Sequence, residues 1–188
     1  MPRVNRVKKA RKDQGSCGRC RTPLPAGSAY RWWKFRHGGK HKRCMAEKCR
    51  PRASELTGSE FLSAVYSAQE TFSGSDYSTS DELADALRTM AEELREAAQI
   101  RIEAADAIEG GFGHETEQSY TLREEGEAIE YWADDIESAA DDVGSIDLDQ
   151  IEEDLKEEYG RSPDSAEIEA LAMEEAESYA SVAEDCPI

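Results

Sequence analysis

Cys17-Gly-Arg-Cys20 and Cys44-Met-Ala-Glu-Lys-Cys49 are two pairs of cysteines that stand 23 residues apart, at either end of an aromatic segment. A C-x2-C turn places two thiols on one side of a tight loop. Tetrahedral zinc needs a second pair, which can come from a distant part of the chain. So short a segment cannot bury enough apolar surface to fold alone, so we expect Zn2+ to supply most of its folding free energy. The spacing predicts a zinc finger over residues 15–56.

The ligand set has alternatives, because the second pair is spaced more widely than the usual C-x2-C. His41-x2-Cys44 is a competing second pair and would give a Cys3His site. Cys17, Cys20, His41 and Cys44 then resemble the PARP-type finger, which binds nicked or broken DNA, although the spacer is shorter here and Cys49 is left over. Four structural thiols without a metal are the third possibility. We favour Cys17, Cys20, Cys44 and Cys49.

The residues between the two pairs have the pattern of a β-hairpin. Residues 23–27 (PLPAG) predict a turn, and residues 28–36 (SAYRWWKFR) predict a strand rich in aromatic side chains. Gly38-Gly39 predicts a two-residue hairpin connection, after which residues 40–43 return as a second strand that leads into Cys44. The order of knuckle, hairpin and knuckle predicts a zinc-bound module like a treble clef or zinc ribbon.

Aromatic and cationic side chains alternate along this hairpin. Because neighbouring strand residues face opposite sides, Tyr30, Trp32 and Lys34 should share one face, and the residues between them the other. One aromatic set would cover the metal, and the other would be exposed among cations, as in surfaces that stack bases and neutralise phosphates. A protein-binding groove and a purely structural hairpin are the alternatives. The candidate nucleic-acid contacts are Tyr30, Arg31, Trp32, Lys34, Arg36, Lys40, Lys42 and Arg43.

Charge separates the chain into two parts. Residues 1–52 hold 17 of the 23 Lys and Arg and only two of the 41 acids, whereas residues 53–188 hold six basic and 39 acidic residues. Two segments of opposite charge and different composition are not expected to share one core. We interpret residues 1–14 as a basic tail, with a nucleic-acid arm and a targeting tag as alternatives.

Residues 57–188 have the periodicity of helices. The Thr57-Gly-Ser-Glu60 sequence resembles a capping box and predicts a linking helix over residues 57–72. Residues 79–145 predict an antiparallel helical hairpin that turns at the glycines of residues 110–113. Residues 146–188 predict acidic C-terminal helices, the last of which would begin at Ser162-Pro163. Its apolar face is predicted to contain Ile168, Leu171, Ala172, Tyr179 and Val182.

No catalytic constellation is evident, so we expect a protein that is not an enzyme and acts by binding. His114 stands alone, and the glycines of residues 110–113 lack the lysine of a phosphate-binding loop. The acidic helices have three interpretations: the solvated surface of an ordinary bundle, a mimic of DNA phosphates, or a partner of the chain's own basic part. No apolar stretch approaches the roughly 20 residues that span a bilayer, and the basic start lacks the apolar core of a secretory signal.

Two stretches of the chain resemble proteins of tailed bacteriophages. The first runs from Lys8 to Leu56 and includes CGRC, YRWWKFRHGGKHKRC and CRPRASEL, and the second is GFGHETEQSYTLREEGEAIEYWADDIE. The resemblance implies a phage or prophage origin and an N-terminal zinc finger, and no particular activity. Because the sequence offers neither a membrane span nor a secretory signal, we expect a location in the cytoplasm, for a phage protein that of the host cell, with association with the virion as the alternative.

These observations lead to one functional hypothesis and one rival. The hypothesis is a zinc-finger accessory protein of a phage that binds nucleic acid through its basic, aromatic head. The rival is a structural or host-directed protein that binds another protein, or mimics DNA, through its acidic helices, with zinc only stabilising the fold. The sequence does not determine the oligomeric state, the nucleic-acid sequence or the protein partner.

Overall fold

A computed structural model describes residues 1–188 and divides the chain into two compact units, Met1–Tyr66 and Ser67–Ile188. The first unit holds a small sheet and the cysteines, and the second is helical. The boundary lies inside helix α1 (Glu60–Ser73), ten residues beyond the predicted end of the finger at residue 56.

The first unit is built on a three-stranded antiparallel sheet. Its strands are β1 (Asn5–Val7), β2 (Tyr30–Lys34) and β3 (Lys40–Cys44), and β2 lies in the centre. In the register, Tyr30 is opposite Cys44 and Asn5 is opposite Trp32. The pairing of β2 with β3 therefore places Cys44, the first cysteine of the second pair, at the end of the hairpin.

The prediction of a basic tail over residues 1–14 is wrong over part of its length. Strand β1 pairs with β2, and Ala10 donates a backbone hydrogen bond to Ser28 O at 2.8 Å and accepts one from Gly27 N at 2.8 Å. Ala10 is buried in a small apolar cluster with Leu24 and Tyr30, against which Val7 packs. The segment is ordered because it satisfies the backbone groups along the free edge of β2.

The connection between β2 and β3 also differs from the prediction. It spans residues 35–39, and a 3.3 Å backbone hydrogen bond from Gly38 N to Phe35 O forms within it. Neither Gly38 nor Gly39 has a positive φ. A two-residue turn is therefore not formed, because the pairing of Lys34 with Lys40 leaves five residues outside the ladder.

Two single turns of 3-10 helix, Glu47–Cys49 and Ser54–Leu56, lead from the sheet to α1. The predicted capping box shifts by two residues, because Ser59 Oγ accepts a hydrogen bond from Leu62 N at 3.3 Å. Thr57 Oγ1 instead accepts from Ser59 N at 3.1 Å. Ser59, a residue of the first unit, therefore caps the start of α1.

The second unit contains four more helices and a final 3-10 turn. The helices are α2 (Ser80–Phe112), α3 (Glu117–Gly144), α4 (Leu148–Tyr159) and α5 (Ser165–Ala180), and the turn is Ser181–Glu184. Thr79 caps α2 by accepting a hydrogen bond from Glu82 N. The caps of α3, α4 and α5 are Thr116, Asp147 and Asp164, so the last helix begins after Pro163 and not at Ser162.

Only the last of the glycines between α2 and α3 ends a helix. Gly110 and Gly111 lie within α2, and Gly113 has a φ of 74° at its C-cap, where its N–H donates to Glu109 O. The predicted turn over residues 110–113 therefore narrows to its last residue, because α2 continues to Phe112. A left-handed φ is what a helix C-terminus requires, and glycine adopts it without steric cost.

Helices α2 and α3 pack against each other along their length. Gly126 of α3 allows the closest approach, because a Cβ at this position would lie 2.8 Å from Ile102 Cγ1 and 3.2 Å from Ala98 O. The interface combines large and small side chains that are buried on both helices; they are Leu83, Leu87, Met90, Leu94, Ala98 and Ala105 of α2 and Ile129, Trp132, Ile136, Ala139 and Val143 of α3.

All six basic residues of the second unit form ion pairs. Four of them connect α2 with α3, and the remaining two, Lys156 and Arg161, pair with Glu152 and Glu167. The α2–α3 pairs are Arg88–Asp141, Arg95 with Asp134 and Glu137, Arg101–Glu125, and Arg123 with Asp106 and Glu109. The few cations of this acidic unit are thus concentrated where two acidic helices meet.

Helix α5 presents a different apolar face from the predicted one. Ala172, Ala176 and Ala180, at intervals of four, are buried, whereas Leu171 and Tyr179 are exposed. Small residues allow α5 to approach α3 closely, and the chain beyond α5 is held by a 2.8 Å hydrogen bond from Trp132 Nε1 to Val182 O. None of the helices is both long enough and apolar enough to cross a membrane.

Candidate metal centre

The four cysteines of the two pairs converge in the first unit. Their Sγ atoms all lie within 4.8 Å of one another, and Cys20 Sγ is 3.7 Å from Cys44 Sγ. Four thiolates at a Zn–S distance of about 2.3 Å in a tetrahedron would be separated by about 3.8 Å. None of the cysteines forms a disulfide. The cluster is therefore compatible with one metal ion bound by four sulfur ligands.

The first pair is held by a tight knuckle. Cys17 N donates to Thr22 O at 2.8 Å, and Arg21 N donates to Cys17 O at 3.0 Å. Closing this loop puts Arg21 at a φ of 62°, the only non-glycine residue of the chain with a positive φ. Thr22 Oγ1 lies 3.1 Å from Cys20 Sγ. The sequence analysis missed Arg21 and Thr22, although a left-handed residue after the second cysteine is what such a loop requires.

The wider spacing of the second pair is accommodated by a turn. Cys44 ends β3, and Cys49 closes the 3-10 turn Glu47–Cys49 by donating from its N–H to Ala46 O at 3.0 Å. The turn brings Cys49 back towards the sheet, so four intervening residues serve as well as two. Cys17 and Cys49 are fully buried, and Cys20 and Cys44 are half-buried.

His41 does not belong to the cluster. In β3 it stands three residues before Cys44 and therefore faces the other side of the sheet. Its ring stacks on Trp33 with the centroids 5.2 Å apart and the planes inclined by 12°. The Cys3His arrangement that the sequence left open is thus not the one formed, and the four clustered donors are Cys17, Cys20, Cys44 and Cys49.

The direction in which the pKa is shifted differs from one cysteine of the cluster to another. The hydroxyl and backbone of Thr22 lower the pKa of Cys20 to about 6. Burial, together with the neighbouring sulfurs, raises the pKa of Cys49 to about 12. Burial also acts to raise the pKa of Cys17, but backbone hydrogen bonds from Cys20, Cys44 and Arg19 outweigh it and lower the pKa. Four thiolates this close repel one another, so a cation among them would favour their ionised forms.

Two arginines of the hairpin stabilise the loops around the cluster. Arg31 is 6% exposed, donates to Ala46 O at 3.3 Å and pairs with Glu47. Arg43 pairs with Glu55; burial raises the pKa of Glu55, but the backbone N–H of Arg52 and the Arg43 guanidinium lower it below its usual value. Both arginines therefore have internal partners.

Gly18 allows the first knuckle to approach β3. Its N–H donates to Lys42 O at 2.9 Å. A Cβ at this position would overlap the Arg43 guanidinium and lie 3.4 Å from Lys42 O. The glycine between the first two cysteines is thus required by packing across the sheet.

The predicted nucleic-acid contacts do not all lie at the surface. Tyr30 is 5% exposed and Arg31 6% exposed, and each is buried on a different face of β2. Both faces of the strand are covered at this end, the first by the segment with Ala10 and Leu24 and the second by the loop with Ala46. Tyr30 and Arg31 are therefore not available at the surface of the hairpin.

The other predicted contacts fall into two groups: side chains that already contact another group of the first unit, and exposed side chains that form no ion pair. Lys42 Nζ donates to Gln14 O at 2.7 Å, and Arg43 has its ion pair with Glu55. Lys40 Nζ lies 3.7 Å from the centre of the half-buried Trp32 ring, which is a cation–π contact. Lys34 and Arg36 are exposed, and neither forms an ion pair. The available cations are therefore gathered at the turn end of the hairpin.

Comparisons with protein-family models, with curated proteins and with solved structures find no match. The function has to be inferred from the chemistry of the site itself.

Proposed function

We propose that the first unit is a zinc-binding module of the treble-clef or zinc-ribbon type and that it binds nucleic acid. The observation that carries the metal part is the convergence of four sulfur atoms within 4.8 Å. A set of four thiolates favours zinc over the harder divalent cations, and zinc accepts the tetrahedral arrangement that closed structural sites adopt. Zinc here would connect the knuckle, the hairpin and the 3-10 turn, which have little apolar core of their own.

The charge of the first unit supports the nucleic-acid part. It contains 17 Lys and Arg against four Asp and Glu, and two of those four acids are in ion pairs with its arginines. The exposed Lys34 and Arg36 and the Lys40–Trp32 pair provide cations beside aromatic rings. Phosphates are neutralised by such cations, and bases stack on such rings.

Salt-dependent binding by the zinc-loaded full chain tests this proposal. Labelled single-stranded and duplex oligonucleotides should bind, and the logarithm of the binding constant should fall linearly with the logarithm of salt concentration, with a slope of about 0.7–0.9 per phosphate neutralised. A triple variant K34Q/R36Q/K40Q should bind more weakly with a shallower slope. Lys156→Gln removes a cation from the second unit and should leave both quantities unchanged. Absence of binding at low salt would contradict the proposal.

For the second unit we propose an antiparallel helical hairpin, α2 with α3, extended by α4 and α5. The order of the α2–α3 ion pairs supports it, since Arg88 pairs with Asp141 far from the connection and Arg123 pairs with Glu109 near it. The proposed role is binding, without catalysis. A phage origin and a place in the host cytoplasm remain hypotheses that rest on the sequence resemblance.

A protein-binding role of the second unit is the second candidate. One observation favours it: a cleft of about 790 Å³ is lined both by apolar side chains, among them Phe72, Leu83 and Met173, and by acidic ones, among them Glu177 and Glu184. Such a cleft suits an apolar segment that carries basic residues. If this candidate is right, substitutions in the cleft, and not at Lys34 and Arg36, will abolish partner capture.

A further inference from the structure

A second cleft lies wholly within the first unit, at the turn end of the hairpin. Its volume is about 540 Å³, within the range of pockets that hold small ligands. The residues that define its chemistry are Lys34, Phe35 and Arg36 of the hairpin, Leu56 of the second 3-10 turn, and Leu62 and Tyr66 of α1. The lining of the cleft thus combines apolar and aromatic side chains with two cations.

We propose that this cleft holds one unstacked nucleobase, and that the first unit therefore prefers single-stranded nucleic acid to duplex. This inference rests on the proposed nucleic-acid function and deepens it. Phe35 and Tyr66 provide the aromatic surfaces for the base. Lys34 and Arg36 neutralise the phosphates on either side of the bound nucleotide.

The aromatic walls are held in place before any ligand binds. The Phe35 ring meets His41 edge to face, with the centroids 5.7 Å apart and the planes at 84°. The position of a Cβ on Gly58 lies 3.7 Å from Phe35 Cδ1, so the backbone there packs against the ring. Tyr66 stands one helical turn after Leu62, and both side chains are half-buried. A site that is already ordered loses little conformational entropy on binding.

The charge of the cleft selects an anionic ligand. None of the residues that line it is acidic, and Lys34 and Arg36 have no carboxylate partner in the structure. The one acid of the preceding 3-10 turn, Glu55, is paired with Arg43. A cationic or neutral apolar ligand would leave both cations without a counter-charge, whereas a nucleotide supplies an aromatic ring and a phosphate together.

The shape of the site explains the preference for a single strand. Bases in a duplex are stacked and paired, and they must leave the stack before they can enter a side-chain pocket. A single strand has no pairing to lose, and its bases can stack on aromatic side chains regardless of sequence. Duplex would be held only through its phosphates.

Fluorescence anisotropy with the zinc-loaded full chain tests the inference. The probes are labelled oligothymidylate and the same strand paired with oligoadenylate. We expect tighter binding of the single strand, and a loss of about tenfold in that affinity for Tyr66→Ala, the effect of removing one stacking partner. Tyr66→Phe keeps the ring and should bind like the natural chain. Tyr131→Ala, an exposed tyrosine of α3, is the matched control.

The outcomes separate this inference from the function on which it rests. If neither probe binds, both are overturned. If both probes bind equally and Tyr66→Ala has no effect on either, the base-binding cleft is overturned and phosphate binding survives. If Tyr66→Ala loses its zinc or its helix content, a competition experiment on the natural chain takes its place. Thymidine monophosphate should displace the labelled single strand. Equal displacement by inorganic phosphate would show that the cleft does not bind the base.

Discussion

Cys20 Sγ and Cys44 Sγ lie 3.7 Å apart although 23 residues separate them in the chain. The distance is close to an edge of a tetrahedral zinc–thiolate site. It arises because the knuckle of residues 17–22 packs on the end of β3 through the hydrogen bond from Gly18 N to Lys42 O. The packing of the knuckle on the sheet therefore brings the two cysteine pairs together, and loss of the proposed metal should destabilise the whole first unit.

Removing one ligand should release the metal and unfold the first unit. Cys49→Ser leaves three sulfurs, and we expect the affinity for zinc to fall by more than about 100-fold, the upper range for losing an outer-sphere partner. Cys186→Ser, outside the cluster, and His41→Ala should each retain one zinc per chain. Elemental analysis and the visible spectrum of the cobalt-substituted protein measure this. Retention of zinc by Cys49→Ser but not by His41→Ala would refute the four-cysteine site.

The close approach of α2 and α3 should not tolerate a side chain at residue 126. Gly126→Leu forces atoms against Ile102 and Ala98 O, and overpacking of this kind costs about 1–3 kcal/mol of unfolding free energy. Gly110→Leu introduces the same side chain where nothing lies within 4 Å, and should stabilise α2 by up to about 1 kcal/mol through helix propensity. Urea unfolding followed by circular dichroism compares the two. Equal effects of the two substitutions would show that the helices do not meet at Gly126.

The ion pairs between α2 and α3 should matter most at low salt. Arg95 faces Asp134 at 2.7 Å and also contacts Glu137, so Arg95→Gln leaves two carboxylates without their cation. We expect a loss of about 1 kcal/mol, at the upper end for partly exposed pairs. Lys156→Gln breaks a pair within α4 and should cost less than about 0.5 kcal/mol.

Salt titration provides the control for the Arg95 prediction. At 1 M salt the Debye length is about 3 Å, so the difference between Arg95→Gln and the natural chain should shrink. The natural chain itself should gain helix stability with salt, because the second unit carries 37 acids and six cations. A difference that does not change with salt would indicate that Arg95 acts by packing alone.

The start of α5 should lose stability in acid. The Arg161 side chain, with the N–H of Asp164, lowers the pKa of Glu167 from 4.5 to about 2. Because the folded pKa is below the unfolded one, this stabilisation is complete above about pH 5 and disappears as the pH falls towards 2. Glu167→Gln should therefore lower the melting temperature at pH 7 and have little effect near pH 2. Glu174→Gln, an exposed residue of the same helix, should show no such convergence.

The elements whose causes are local could be predicted from the sequence. The cysteine spacings identified the four residues that cluster, because each pair lies within a short loop that can present two sulfurs to one point. The cap at Thr79 and the helices that follow it depend on hydrogen bonds and periodicity within a few residues. Even the error at Ser162 concerns where a helix begins, and not whether it forms.

Features that depend on what covers a surface were decided only by the tertiary structure. Strand alternation separated Tyr30 from Arg31 but could not show that both faces of β2 are covered, so two predicted contacts proved to be buried. The order of residues 5–7 depends on a free strand edge supplied from residue 30 onwards. The buried face of α5 is the one that carries Ala172, Ala176 and Ala180. Close packing against a neighbouring helix favours these small side chains over the larger Leu171. Local patterns determine which elements form, whereas burial depends on partners that are distant in the chain.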